Sequence, residues 1–173
     1  MDVTIREATK DDAEEIASLM KLVHDSMANK ALYVCDDLSY VKEQLSGNGF
    51  AFVCESDSGE IVGSFVCRFP HNSLDNLGLD VGLPSSVLHK VVHMESMVVH
   101  PDFRGMRLGK QMLEKCEEHA VSLGYNYMLC TVSPRNGPSL GVIESRKFNK
   151  ACTKEKYGGL LRSIYLKIAT ARG

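Results

Sequence analysis

The segment KVVHMESMVVHPDFRGMRLGKQML, residues 90–113, restricts the fold more than any other stretch. Residues 90–99 are mostly apolar and strand-like. Pro101 has no amide hydrogen to give to a ladder, so the strand has to end there. From about 107 to 123 the period changes. Leu108, Met112, Leu113, Cys116, Ala120 and Leu123 fall on one helical face, and Gly124 is a natural stop. A strand, a tight turn and a helix thus follow one another directly. The strand needs a sheet to join, and the helix needs a face to cover.

The flanking sequence supplies both. Val3 and Ile5 alternate with polar neighbours, as in a strand, and Thr9 with Asp12 has the form of a capping box. Ala13, Ile16, Ala17, Met20, Val23 and Met27 then recur at helical spacing. A shorter helix is expected at about 37–46. Residues 50–56 and 60–68 read as two strands joined by the hairpin turn SDSG. Residues 69–88, rich in Pro, Gly, Asn, Asp and Ser, read as a long loop, either a lid or an irregular surface excursion. Residues 126–132 form another strand. Asn136 and Pro138 open a short helix to about 146, and 148–168 suits one or two closing strands.

Composition narrows the function classes. A chain of 173 residues fits a single domain spanning 1–173. Twenty basic and 22 acidic side chains give a net charge of −2, with no global pull toward nucleic acid or an anionic membrane. No apolar run is long enough to span a bilayer, and the start MDVTIREATKDD lacks the signal-peptide pattern. None of the six cysteines forms a CxxC pair or has zinc spacing with histidine, so no metal is expected. Free, mostly buried thiols fit a cytoplasmic protein.

The chemistry concentrates in HPDFRGMRLGK, residues 100–110. The first amides of a helix have no intrahelical acceptor, and the helix dipole is positive at that end, so such a corner can hold a phosphate or pyrophosphate. Gly105 permits unusual dihedrals and close backbone approach. Arg104, Arg107 and Lys110 add local positive charge. A Walker A loop is excluded: Gly105 and Gly109 enclose three residues instead of four, and Gln111 follows Lys110. No GxGxxG fingerprint is present. On these features alone, an ordinary corner with solvated basic residues stays open beside the anion site.

The segment MESMVVHPDFRGMRLGKQML resembles the acyl-CoA-binding strand, loop and helix of the GNAT superfamily of N-acetyltransferases, whose motif is commonly written Q/R-x-x-G-x-G/A. Arg104, Leu108 and Gly109 match it, while Arg107 stands where the first motif glycine usually lies. With its Cβ, Arg107 has to take a permitted helical dihedral or strain the loop. NGPSLGVIESRKF, residues 136–148, resembles the family's second coenzyme-contacting helix through Asn136, Ser139 and Phe148, with Lys147 in place of the usual Gly. The resemblance covers nearly the whole chain. It implies an α/β (α+β) fold: a central mixed, mostly antiparallel, twisted sheet of six to seven strands flanked by about four helices. It also implies that Met97, Val98 and Val99 offer backbone groups to pantetheine, and that Gly105, Met106, Arg107, Leu108, Gly109 and Lys110 hold the pyrophosphate.

Amine acetylation needs a base for the amine proton and a donor for the oxyanion. Glu95 stands on the same strand, where related spermidine acetyltransferases have a glutamate proposed as base or water relay. A half-buried strand carboxylate suits a raised pKa; the alternative is a solvent-facing glutamate. His93 and His100 flank it but read as strand-end residues, and Cys130, in an apolar strand, reads as core. The tyrosine that many relatives use as thiolate acid is Ile143 here. Tyr125, Tyr127, Tyr157 or Tyr165 are the candidates to replace it.

The resemblance therefore implies transfer of an acetyl group from acetyl-CoA to a primary amine by direct attack in a ternary complex, in a monomer or homodimer. The alternative is a catalytically silent acyl-CoA-binding sensor. The acceptor would be shaped by residues 24–40 and 69–88, where Asp36, Asp37, Asp75 and Asp80 could attract a cation.

Overall fold

The computed structural model describes residues 2–170. The elements are β1 (Val3–Glu7), α1 (Ala13–Ser26), α2 (Leu38–Glu43), β2 (Gly49–Ser56), β3 (Ile61–Arg68), α3 (Leu77–Asp80), β4 (Val91–Val99), α4 (Leu108–Ser122), β5 (Tyr127–Val132), α5 (Gly137–Ser145), β6 (Asn149–Lys156) and β7 (Leu160–Ile168). The seven strands follow the order β1-β2-β3-β4-β5-β7-β6 in one open sheet. β1–β2, β2–β3, β5–β7 and β6–β7 pair antiparallel, and β4–β5 pairs parallel. This is the expected fold class. The helix beyond the expected four is α3, a single turn inside the segment read from sequence as a loop.

Contacts group the residues into two compact units. One comprises residues up to Arg68 together with Glu95–Cys116; the other comprises Phe69–Met94 and the residues from Glu117 onward.

In the first unit, α1 buries Ala13, Ile16, Leu19, Met20 and Val23 with Val41 of α2, Ala51 and Val53 of β2, Val66 of β3 and Val98 of β4. Each such side chain removed from water stabilises the fold by roughly 1.5–3 kcal/mol. The start of α1 is fixed electrostatically. Arg6 donates to both oxygens of Asp12 at 2.9 Å and to Glu55 at 2.7 Å, while the Asp12 carboxylate accepts from the Thr9 amide at 2.7 Å. The Arg6 hydrogen bonds pull the Asp12 carboxyl down to about 2.

In the second unit, Leu77, Val91, Leu129 and Ile164 form a smaller core. The segment after β3 is tied down at several points. The buried Asn76 side chain donates to the His71 carbonyl at 2.8 Å and accepts from the Gly78 amide at 2.8 Å. The Leu77 amide donates to His93 Nε2 at 3.0 Å, and Asp80 pairs with Lys154 and Lys156 at 3.3 and 2.5 Å. These bonds tie the segment to the rest of the second unit.

Glu117 of α4 is the other fixed point of this unit. Buried, it accepts a two-pronged contact from Arg146 at 3.2 and 2.9 Å and a third bond from Lys167 at 2.6 Å. Removing one member of a buried charge network leaves the others desolvated and unmatched. Glu117→Ala is therefore expected to destabilise the protein by about 3–5 kcal/mol, seen as a lower urea midpoint with a similar slope.

Candidate active site

Strand β4 changes character along its length. Its parallel ladder to β5 comprises Val91–Tyr127, Val92–Met128 and His93–Leu129, and no later pair is registered among the described residues. Up to Met94 every β4 side chain is buried. From Glu95 on, burial alternates: Glu95, Met97 and Val99 are half-buried, whereas Ser96 and Val98 are buried. One strand face from Glu95 onward is thus partly open, as the two-residue period of a strand requires.

After β4 the chain makes the expected corner. The His100 amide donates to the Val62 carbonyl at 2.8 Å, and its Nδ1 accepts from the Asp102 amide at 3.2 Å. A 3-10 turn follows over Pro101–Phe103, and α4 begins at Leu108. Gly105 has φ of 85° and Arg107 has φ of 60°, both left-handed. The Gly105 requirement is one of conformation: a Cβ there would meet nothing within 4 Å in the protein, so no close approach of the chain to itself demands glycine. Arg107 takes the strained alternative rather than the helical one. An L-residue in this region costs about 1–2 kcal/mol.

The corner fits an anionic ligand. The first α4 amide with a backbone acceptor is that of Gln111, bonded to the Arg107 carbonyl at 3.2 Å. The amides of Leu108, Gly109 and Lys110 precede it at the positive end of a 15-residue helix. Arg104, Met106, Arg107 and Lys110 are exposed, while Leu108 and Gly109 are buried and fix the helix start.

Glu95 lies on β4 ahead of the corner. Arg68 Nη1 lies 3.5 Å from its Oε1, and 23% of the Glu95 side chain is exposed. Burial first, and the Asp36 carboxylate second, push the Glu95 carboxyl up to about 8. Asp36 accepts from the Ser96 hydroxyl, and burial also raises its own pKa. Met97, Val98 and Val99 lie between Glu95 and the corner on the same strand.

The other candidates separate cleanly. His93 is buried, and its Nε2 is occupied as the acceptor for α3; His100 serves the turn. Burial pushes the Cys130 thiol up to about 12, which makes it core and not a nucleophile. Asn136 and Ser139 belong to the second unit, where the Asn136 side-chain Oδ1 caps α5 by accepting from the Ser139 amide at 3.3 Å. Ile143 is a buried aliphatic residue of the same helix. The four tyrosines named as substitutes also lie in the second unit. Tyr125 stacks on Phe69 at 4.0 Å, Tyr157 bonds to Thr131 at 2.8 Å, Tyr165 donates to Glu144 at 2.9 Å, and Tyr127 sits in β5.

Among the acidic residues, Asp37 caps α2 through the Tyr40 amide, Asp75 accepts from Ser73, and Asp80 holds two lysines. Asp36 lies in the same unit as Glu95, and its charge acts on it. Arg68 and Ser96 were not legible from sequence as site residues: Arg68 lies 27 positions before Glu95 and has no motif. The one available signal for Ser96 was a polar residue within an apolar strand.

The sequence matches the Acetyltransferase (GNAT) family over residues 15–148. The chain belongs to the GNAT acetyltransferase family. An uncharacterised N-acetyltransferase of Methanocaldococcus jannaschii is 27% identical over 162 residues, covering 93% of this chain; the match spans 66% of that relative's length. Among solved structures, the ribosomal-protein-S18-alanine N-acetyltransferase of Escherichia coli superposes with a TM-score of 0.73 at 15% identity, covering 99% of this chain and 97% of its own. The Salmonella typhimurium protein yncA, solved with its cofactor acetyl-CoA, gives 0.72 at 19% identity, covering 100% and 98%. At these identities the likeness is one of fold.

Family membership gives the left-handed Arg107 its meaning: the backbone keeps a conformation that glycine adopts without strain, at a position where the family usually has glycine. Arg107→Gly is expected to raise stability by about 0.5–1 kcal/mol, the relief of strain being partly offset by a more flexible unfolded chain. Urea denaturation of the variant beside wild type measures this directly.

Proposed function

We infer that the protein transfers an acetyl group from acetyl-CoA to a primary amine by direct attack in a ternary complex, with Glu95 as general base. The observation that carries the reading is the half-buried Glu95 carboxyl, raised to about 8, on the strand that runs directly into an anion-binding helix corner. The coarse activity is that of the family. The roles of the individual residues are our assignment.

Acetyl-CoA supplies an activated acyl group, a thioester. The corner from Arg104 to Lys110 binds its pyrophosphate through amides and basic side chains. The Met97–Val99 backbone orients the pantetheine arm, and an amide near Val98 is positioned to donate to the developing oxyanion. Asn136 and Ser139 are assigned to the coenzyme on the family match alone. An amine enters as ammonium, and its positive charge favours ionised Glu95. Glu95 takes one proton, the nitrogen lone pair attacks the thioester carbonyl, and the carbon–sulfur bond breaks. The second proton lost by nitrogen ends on the departing thiolate through water, since Ile143 has none to give. Coenzyme A is a good enough leaving group for water to serve.

Glu95→Gln keeps shape and hydrogen bonding but cannot accept the proton. It is expected to lower kcat and kcat/KM for an amine by about 100- to 10,000-fold, with coenzyme A affinity unchanged and a smaller deficit at high pH, where more free amine is already neutral. In wild type, kcat/KM should rise with pH through about 8 as Glu95 ionises. Steady-state thiol release over a pH series tests both. A variant within about threefold of wild type at neutral pH would remove Glu95 from the mechanism. Saturable coenzyme A binding with no amine-dependent thiol release from wild type would favour the silent sensor instead.

The same shift has a consequence for stability. Glu95 holds its proton longer folded than unfolded, so between its ordinary value of 4.5 and about 8 the native state binds more protons. Stability from this group is full below 4.5 and declines as pH rises through that window. Glu95→Gln should therefore gain thermal stability relative to wild type between pH 5 and 8, a difference that calorimetric scans at stepped pH would measure.

A further inference from the structure

His93 is a buried, titratable group that the proposed chemistry leaves unused. Its Nε2 accepts from the Leu77 amide at 3.0 Å. An amide only donates, so this nitrogen carries no proton and the ring is neutral. The bond fastens the first residue of α3 to β4, within the second unit. Leu77 packs there with Val91, Leu129 and Ile164, and Val81, Leu83 and Leu88 pack against them. Residues 71–88 thus form a strap on one face of the sheet. Of these residues only Asn76, Leu77 and Gly78 are buried, so little apolar burial opposes a local opening.

The strap's other fastenings do not titrate near neutral pH. Asn76 donates to the His71 and Leu88 carbonyls at 2.8 and 3.3 Å and accepts from the Gly78 amide at 2.8 Å. Burial works to raise the Asp80 pKa, but hydrogen bonds from Lys156 and Lys154 outweigh it and hold the carboxyl below its ordinary value, so Asp80 stays ionised. His93 differs. Protonated, it carries N–H at both nitrogens and sets a donor against the Leu77 donor, in a place that is 3% exposed. The charges around it give an imidazolium little support. On the covered face β5 brings the Tyr127 phenol and β6 the Cys152 thiol. Lys154 and Lys156 of β6 hold Asp80, and Arg162 of β7 pairs across the ladder with Lys154. On the strap itself His71, Asp75 and His89 are exposed, as is Lys90 after it, and Asp75 accepts from Ser73. Glu95, two positions further along β4 and pushed up to about 8, keeps its proton where histidine ordinarily titrates.

We propose that the bond between His93 and Leu77 is a pH-sensitive latch: proton uptake at His93 Nε2 frees residues 71–88 from the sheet, and proton loss refastens them. The closed strap excludes a proton that the open strap accepts at histidine's ordinary value of about 6.5. The latch is therefore at full strength above that pH. It weakens as pH falls below it, by about tenfold per unit for one proton. The latch is independent of the acetyltransferase reading, and its test needs no turnover.

Amide hydrogen exchange of the whole protein, read by mass spectrometry from about pH 5 to about pH 8 and corrected for the intrinsic rate at each pH, measures the latch. In wild type, protection over residues 71–88 should be constant above about pH 6.5 and fall about tenfold per unit below it, while peptides from β2 keep theirs. His93→Gln supplies an acceptor oxygen that does not titrate, and it should flatten the strap's profile. Should that variant fail to fold, the wild-type imidazole decides the matter. Nitrogen NMR should show His93 with its one proton on Nδ1 at neutral pH, and gaining the second as strap protection is lost. Strap protection independent of pH in wild type, a parallel loss from β2, an equally steep profile in folded His93→Gln, or a His93 ring that titrates with protection intact would overturn the latch.

Discussion

The corner between β4 and α4 is built on two left-handed residues, Gly105 and Arg107, and the proposed coenzyme site depends on it. A helix presents its free amides only if the chain enters it abruptly. Buried Leu108 and Gly109 anchor the first turn, and the turn before them has to reverse direction within a few bonds. Had the chain entered α4 gradually, through a further helical turn, the amides of Leu108, Gly109 and Lys110 would have found carbonyl acceptors and lost their capacity for an anion. That Arg107 holds a conformation suited to glycine shows how strongly the surrounding packing dictates the backbone there.

The same conflict occurs once more. Lys147, after α5, has φ of 64° and also stands where the family usually has glycine. Its amide donates to the Glu144 carbonyl at 2.9 Å, and the Phe148 amide donates to that of Ile143 at 3.3 Å, so a left-handed helix ending persists without its usual residue. The backbone path is common to the family while the residue that makes it easy is not. Both exceptions are exposed basic residues.

Burial and a neighbouring carboxylate set the charge behaviour of Glu95. Glu95 has Arg68 at a long 3.5 Å, and Asp36 has only a hydroxyl. Burial first, and the Asp36 charge second, raise the proton affinity of Glu95. Such a place suits a base that needs to hold a proton near neutral pH and suits a positively charged visitor. The contrast within the protein is Glu117, which is matched by two cations and serves only to hold structure.

The sequence by itself determined the order of elements, because hydrophobic period and breaker residues are local. The switch from strand to helix across Pro101, the stop at Gly124 and the Thr9–Asp12 cap all follow from neighbours in the chain. The motif also placed Glu95 and residues 104–110, since strand, turn and helix are contiguous. Only the tertiary structure brought the Asp36 carboxylate to Ser96 and near Glu95. Asp37 and Asp75 are engaged by near neighbours in the chain, the Tyr40 amide and the Ser73 hydroxyl, whereas Asp80 is held by lysines far along it. The tertiary structure likewise decided that His93 is an acceptor for α3 and that Arg68 faces Glu95. The physical reason is the same in each case. Burial and charge pairing come from residues far apart in the chain, and a proton's affinity for a carboxylate is set by what the fold brings near it.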